Sequence, residues 1–161
     1  MTFTWNPPTR RRTLIAGLGL AGWWGCFASQ AAQPQINTLN GGRLHVAING
    51  YDTVAYFSAG KAVPGLEDLS LAWNGATWRF SSATNLALFK ANPERYAPQY
   101  GGYCAYGVAQ GYLVKVDPEQ FTVRDGKLYL NYDAAVQARW SQDIDRHVSS
   151  ADRKFPQLLR K

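Results

Sequence analysis

The sequence is poor in the residues from which disulfide scaffolds and metal sites are built. Its 161 residues include only two cysteines and two histidines. Two cysteines exclude a disulfide-rich scaffold and a four-cysteine zinc site, and two histidines exclude most histidine-rich metal sites. Charged residues are also scarce, at 17% against 46% hydrophobic residues. This balance is typical of a folded protein and excludes an intrinsically disordered one.

Acidic residues are outnumbered, but the excess positive charge lies near the two ends of the chain. The formal net charge is +6, from 17 Lys and Arg against 11 Asp and Glu. Residues 1–31 hold three arginines and no acidic residue. Four more basic residues lie near the C-terminus: Arg153, Lys154, Arg160 and Lys161. Because the middle of the chain is nearly neutral, the charge does not predict a nucleic-acid surface, and we expect no nucleic-acid partner.

The first 31 residues have the pattern of an export signal. Basic residues precede an apolar run over 14–27, and small and polar residues follow it. The run is shorter than the ~20 residues that span a bilayer, so the pattern predicts a secretory signal peptide cleaved after Ala31. The segment Thr9-Arg10-Arg11-Arg12 resembles a twin-arginine motif, which favours that route to the periplasm over an ordinary Sec signal. Membrane contact is expected only through this segment, if it stays uncleaved.

A lipoprotein signal at Cys26 is the less favoured alternative. Gly25 suits such a signal, whereas Trp23 and Trp24 do not. If Cys26 is removed with the signal peptide, Cys104 is the only thiol of the mature chain. A single cysteine forms no internal disulfide, even in an oxidising periplasm.

The rest of the chain predicts one domain of α+β class with no internal repeat. Residues 32–42 predict a flexible lead-in, 43–156 the folded domain and 157–161 a basic tail. Alternating apolar residues around Asn74-Gly75 and Asp125-Gly126 predict short antiparallel hairpins, mixed with about three helices. The predicted strands are 43–48, 69–73, 76–80, 112–116, 121–124 and 127–131. The predicted helices are 53–58, one capped by Ser81 or Ser82 that runs to about Ala91, and one from Asp133 through Val148, with Pro156 ending the regular structure.

Long phrases of the sequence carry a resemblance to a known family. They read GYDTVAYF at 50–57, WNGATWRFSSATN at 73–85, NPERYAPQYGGYCA at 92–105 and DGKLYLNY at 125–132. From Gly50 to about Pro156, the chain resembles the exported YHS-domain-containing proteins of bacteria. The resemblance implies a small α+β domain in which Trp78, Phe80 and Phe89 keep the packing positions.

The resemblance does not bring the usual YHS metal site with it. Shorter YHS domains are taken to bind metal through cysteines. In this chain the corresponding positions are Ala55, Ser81 and Asn85. These side chains are poor ligands for soft or borderline cations, which select thiolate and imidazole.

Cys104 is then the most distinctive residue left for a site. It follows Tyr100 and Tyr103 in a segment where Gly101-Gly102 lets the backbone come close to a ligand. The alternative is that Cys104 is a small buried hydrophobe, as free cysteines often are. The candidate ligand-binding residues are Tyr51, Asp52, Tyr100, Tyr103 and Cys104, with Cys104 also the candidate metal ligand.

Two other features bear on the candidate site. Asp52 can orient a ligand or, more simply, cap the helix predicted after it. His45, expected to point outward from its strand, and His147 would have to converge from opposite ends of the domain to join Cys104 in a metal site.

Three hypotheses of function follow. The first is a small periplasmic binding module that holds a transition metal ion or a small ligand near Cys104. The second is a ligand-free accessory module that contacts a periplasmic protein partner, in which Cys104 and the Tyr/Gly segment are structural. The third, an enzyme with Cys104 as thiol catalyst, lacks a supporting base in the nearby sequence.

Overall fold

The structure is a computed structural model that describes residues 36–38 and 45–160. These residues belong to one compact unit spanning 32–161. The predicted signal peptide and its cleavage site lie outside the described residues, as does Cys26. In the described ranges, no helix is long and apolar enough to cross a membrane.

The predicted α+β class is confirmed, with six helices in the described residues where about three were predicted. Two short turns of tight helical geometry span Ala47–Gly50 and Gln99–Gly102. The helices are α1 Ala55–Ser58, α2 Ala83–Ala91, α3 Pro93–Tyr96, α4 Ala105–Gln110, α5 Ala134–Ser141 and α6 Ile144–Leu158. The strands are β1 Leu66–Trp73, β2 Ala76–Phe80, β3 Asp117–Arg124 and β4 Lys127–Asn131. They form two separate antiparallel pairs, β1 with β2 and β3 with β4.

Both hairpins lie where the turn pairs predicted them. Asn74 and Gly75 have φ values of 50° and 78°, and Asp125 and Gly126 have 52° and 71°. Two successive positive φ values define the type I′ turn, whose twist matches that of paired strands. Asn, Asp and Gly tolerate this geometry better than other residues, so the local sequence determines the turn.

The late helix predicted from Asp133 through Val148 is wrong, because the chain breaks it into α5 and α6. The Asp143 carboxylate accepts a hydrogen bond from the backbone N–H of Arg146 at 3.2 Å, which starts a new helix. Such a capping side chain competes with continuation of the previous helix. Pro156 was predicted to end the regular structure, yet α6 runs through it to Leu158.

Two predicted strands are also wrong. In the described part of 43–48, His45 has a φ of 71° and Val46 makes one isolated bridge to Thr77, after which the chain turns. His45 is exposed, as predicted. Residues 112–116 are extended but belong to neither strand pair, and the segment folds back onto α4. Its contacts there are Tyr112 N–H to Gly107 O at 2.9 Å and Val114 O to Cys104 N–H at 3.2 Å.

The domain contains an internal structural repeat, so the prediction of none is wrong. Each half runs through a turn, a short helix, a hairpin and two helices. From the hairpin onward equivalent elements start 51 positions apart, since β1 begins at Leu66 and β3 at Asp117, and α2 begins at Ala83 and α5 at Ala134. The turns before them start 52 positions apart and the short helices 50. Few residues are identical between the halves, which hides the repeat in the sequence.

Fine details repeat as well. In both hairpins the pairing register shifts by three residues of the first strand after its first pair. The pairs on either side of this shift are Leu66↔Phe80 and Ser70↔Arg79 in the first hairpin, and Asp117↔Asn131 and Phe121↔Leu130 in the second. These pairs are related by the same 51-position shift. Each half also packs an aromatic residue of its second strand on an aromatic residue of the following helix. The ring centroids are 5.0 Å apart for Trp78 with Phe89 and 5.1 Å for Tyr129 with Trp140.

Side chains of the first half pack directly against the second half. The Tyr56 hydroxyl on α1 donates to the backbone oxygen of Pro118 at 3.0 Å, and its ring lies 4.8 Å from that of Phe121. At the start of the described chain, Asn37 donates from its backbone N–H to Gly101 O and from Nδ2 to Gly102 O. The part of the predicted lead-in that the structure describes is therefore held against the turn that precedes Cys104.

Candidate functional site

Asp52 is fully buried, and its carboxylate is the centre of a hydrogen-bonded node. Oδ1 accepts from the backbone N–H groups of Val54 and Ala55 at 2.9 and 3.3 Å. Oδ2 accepts from Ser81 N–H at 2.8 Å, Ser81 Oγ at 2.6 Å and Asn85 Nδ2 at 2.7 Å. Five donors leave this carboxylate little capacity for a further ligand, so the structure gives Asp52 a structural role. Its Oδ1 accepts N–H groups at the start of α1, but the N-cap residue of α1 is Val54 rather than the predicted Asp52.

Ala55, Ser81 and Asn85 are the positions at which the YHS resemblance would place cysteines. The structure brings all three together around Asp52. The Ser81 hydroxyl and the Asn85 amide point at the carboxylate, so their polar groups are used within the protein. A node that is this well satisfied rigidifies the first half of the domain.

The candidate tyrosines do not gather around Cys104. Tyr51 is half-buried and makes an isolated bridge to Pro64. Tyr100 and Tyr103 are buried in a cluster with Tyr129 and Trp140, whereas Cys104 packs in the other cluster of the core. The Tyr100 hydroxyl donates to Asp152 Oδ1 at 2.9 Å.

Cys104 caps the short helix α4 and is 1% exposed. Its Sγ accepts the backbone N–H of Gly107 at 3.3 Å and lies 3.8 Å from Asn131 Oδ1. Oδ1 of Asn131 also accepts the N–H of Tyr106 at 3.4 Å. Asn131 is fully buried, and within the described residues its Nδ2 has no hydrogen-bond partner.

A pocket of about 340 Å³ opens beside Cys104. It lies between α4, the extended segment after it and the start of α5. Its walls are largely aromatic and aliphatic: Tyr106, Tyr112, Val114, Tyr132 and Val136, with Gln110 contributing an amide. Tyr112 and Tyr132 are 67% and 42% exposed, so their rings flank the opening of the pocket to solvent.

Burial controls the protonation of the Cys104 thiol. It raises the pKa of Cys104, while the backbone N–H groups of Gly107, Tyr132 and Tyr106 lower it less strongly. The charged group that acts on the thiol in the described part of the chain is Asp133, which raises the pKa further. The thiol is therefore neutral at pH 7, unlike the activated thiolate that a cysteine catalyst needs.

The stability of the domain is expected to fall as the pH rises above about 8.5. Burial raises the pKa of Cys104 in the folded state, and also those of four tyrosines: Tyr56, Tyr100, Tyr103 and Tyr129. The unfolded chain therefore loses these protons first, which favours unfolding from about pH 8.5 for the thiol and about pH 10 for the tyrosines.

Urea unfolding at pH 7, 9, 10 and 11 measures this effect. In Cys104→Ala the decline between pH 8.5 and 10 is expected to shrink, whereas the decline above pH 10 persists because the tyrosines remain. A free energy of unfolding that stays level from pH 7 to 10 in the unsubstituted protein would contradict the prediction.

The histidines do not complete a metal site with Cys104. The ring of His147 packs on Tyr106 with centroids 5.0 Å apart, while His45 lies at the distant hairpin turn of Asn74 and Gly75. Across residues 36–38 and 45–160, no three His, Cys, Asp or Glu side chains are placed to hold a metal ion together.

Comparison with known protein families, characterised proteins and solved structures finds no match to this chain. The YHS resemblance therefore stays a prediction.

Sequence reasoning found Cys104 but missed the residues around it. Tyr112, Val114, Tyr132 and Val136 line the pocket, although the first two were assigned to a strand and Val136 to the buried stripe of a helix. The repeat relates Tyr132 and Val136 to Ser81 and Asn85, but it is hidden in the sequence, so no sequence signal pointed to these residues.

Proposed function

We propose that this protein is a small exported binding module that holds a small apolar organic molecule in the pocket beside Cys104. The observation that carries the proposal is the pocket itself, which joins a buried thiol to an opening flanked by two exposed tyrosines. Its volume of about 340 Å³ lies at the lower end of the range for ligand sites, ~300–1,000 Å³. The N-terminal pattern of the sequence favours a periplasmic location.

The lining favours an organic ligand over a transition metal ion. Metal ions of this kind need several thiolate or imidazole ligands. The side chains nearest to Cys104 in the pocket are instead tyrosines and valines. Aromatic and aliphatic walls gain most from covering an apolar molecule, and the Gln110 amide offers one polar contact that can orient it.

An accessory module without a small ligand is the second candidate. Tyr112 is the most exposed of the large hydrophobic residues described, and exposed tyrosines are typical of protein contacts. A partner protein would cover Tyr112 and Tyr132 without filling the pocket as far as Cys104. The two functions therefore differ in whether the surroundings of the thiol change on binding.

Indole is a suitable probe, because it is planar, uncharged and small enough for the pocket. We expect the purified mature chain to bind one indole with a Kd of about 1 mM or tighter, an affinity typical of so small a ligand. Binding should slow alkylation of Cys104 by iodoacetamide. Titration followed by protein NMR and by the alkylation rate measures both effects.

Tyr112→Ala removes one wall of the pocket and is expected to weaken indole binding at least about fivefold, since the ring is mostly exposed and contributes little to stability. The matched control is Leu88→Ala on α2, which is also exposed but does not line the pocket. If indole fails to bind, or if it binds without protecting Cys104, the binding module is contradicted and the accessory module is favoured.

A further inference from the structure

Asp52 and Cys104 occupy equivalent places in the two halves of the domain. Each follows a Gly-Tyr pair that ends a turn with three consecutive positive φ values. The backbone N–H of Asp52 donates to Val63 O at 2.8 Å, and that of Cys104 donates to Val114 O at 3.2 Å. The two residues thus enter their short helices with the same backbone connections.

The backbone donors around the two side chains also correspond. Ala55 N–H donates to Asp52 Oδ1 at 3.3 Å, and Gly107 N–H donates to Cys104 Sγ at 3.3 Å, in both cases three residues ahead. Each half therefore directs a backbone N–H from the first turn of its helix at the side chain that precedes it.

A second donor arrives from the residue that follows the hairpin. In the first half it is the N–H of Ser81, 2.8 Å from Asp52 Oδ2. In the second half it is the N–H of Tyr132, which acts on the Cys104 thiol and lies 51 positions after Ser81. The donors from the helix and from the residue after the hairpin therefore correspond, whereas Val54 N–H bonds Asp52 Oδ1 and its counterpart Tyr106 N–H bonds Asn131 Oδ1.

The surroundings of Asp52 and Cys104 differ in their side chains. In the first half, Ser81 Oγ and Asn85 Nδ2 fill the space next to the carboxylate and donate to it. Their counterparts Tyr132 and Val136 instead line the walls of the pocket beside Cys104. The Ser81 and Asn85 donors that fill the space beside Asp52 therefore have no equivalents beside Cys104, where the pocket lies.

We infer that the domain carries two equivalent sites, one closed at Asp52 and one open at Cys104. A ligand of the open site lies where the Ser81 and Asn85 side chains lie in the closed one. This inference rests on the proposed function for the presence of a ligand, but the equivalence of the sites does not. It makes Tyr132 and Val136 the residues that determine whether the second site is open.

The experiment rebuilds the closed site in the second half. Cys104→Asp alone places a carboxyl group in a buried position without counterparts of the Ser81 and Asn85 donors that Asp52 has, and the melting temperature is expected to fall by at least about 10 °C. Adding Tyr132→Ser and Val136→Asn supplies the two missing donors. The triple variant should recover at least half of that loss and should no longer bind indole. The control is the pair Tyr132→Ser with Val136→Asn in the Cys104 background, where the same changes should not stabilise the protein.

The outcomes separate this inference from the proposed function. If Cys104→Asp does not fold but the triple variant does, the rescue is already demonstrated. A triple variant no more stable than Cys104→Asp would overturn the equivalence of the two sites. Rescue with indole binding retained would overturn the position given to the ligand. Failure of the unsubstituted protein to bind indole would overturn the proposed function alone, since the melting temperatures still test the equivalence.

Discussion

Replacing Asp52 with alanine is expected to lower the free energy of unfolding by about 4 kcal/mol. The substitution removes the acceptor for five hydrogen bonds in a fully buried place. A buried donor that loses its acceptor costs about 1–3 kcal/mol. The donors of Val54, Ser81 and Asn85 would all lose their acceptor, although only Val54 is buried and the other two are half-buried. Because the costs within one network are not additive, the total lies below their sum.

Two further variants make this result interpretable. Asp52→Asn keeps the shape of the side chain but turns an amide donor towards groups that are themselves donors, so we expect a loss of about 2–3 kcal/mol. Asp68→Ala removes an exposed carboxylate from β1 and should change stability by less than about 0.5 kcal/mol. Urea unfolding of the three variants provides the measurement. A loss below 1 kcal/mol for Asp52→Ala would mean that the node does not hold the first half together.

Gly65→Ala is expected to be strongly disruptive, with a loss of about 3 kcal/mol or more in the free energy of unfolding. A Cβ built at Gly65 would lie 2.5 Å from the backbone carbon of Arg79 and 2.7 Å from its carbonyl oxygen. These atoms belong to β2, whose pairing with β1 leaves it little room to shift. Gly65 N–H also donates to Gly50 O at 2.8 Å, so moving Gly65 away would break a second contact.

The matched control is Gly75→Ala in the hairpin turn. Nothing lies within 4 Å of a Cβ at Gly75, but its φ of 78° disfavours a side chain. We therefore expect a loss of about 1 kcal/mol from backbone strain alone. Thermal unfolding of both variants separates the steric clash from the general effect of replacing a glycine. Equal losses for the two variants would show that β2 yields to the added methyl group.

The features that the sequence predicted well are those that depend on nearby residues. The hairpins at Asn74-Gly75 and Asp125-Gly126 lie where predicted, because a two-residue turn with positive φ is determined by the residues within it. The cap of α2 is similar, since Ser82 accepts the N–H of Asn85 within one helical turn. In both cases the local residues determine the structure without a distant contact.

Wrong predictions arose where two local signals competed or where a distant contact determined the structure of a segment. The apolar stripe from Val136 to Val148 predicted one helix, but Asp143 within it supplies a stronger start signal for a second one. The alternation at 112–116 fits a strand, yet this segment bonds to α4 rather than to a strand, which only the tertiary structure determines.

The site was predictable only in part, for a related reason. Cys104 stands out because cysteine is rare in this sequence, and Tyr100, four residues before it, suggested a shared site. Neighbours along the chain need not share a pocket, since α4 starts immediately after Cys104 and Tyr100 faces the other cluster. The walls of the pocket come instead from residues up to Val136, which periodicity assigned to the core.

The contact between Tyr56 and the second hairpin has a consequence for cooperativity. In solenoid proteins each repeat touches only its neighbours, so the array can unfold one repeat at a time. Here the short helix of the first half inserts its tyrosine into the second, where it bonds to Pro118 and packs on Phe121. Loss of either half would strip a buried aromatic residue of its partner. The two repeated halves of this fold therefore form one cooperative unit. When a substitution destabilises one half, the stability of the other half helps to keep it folded.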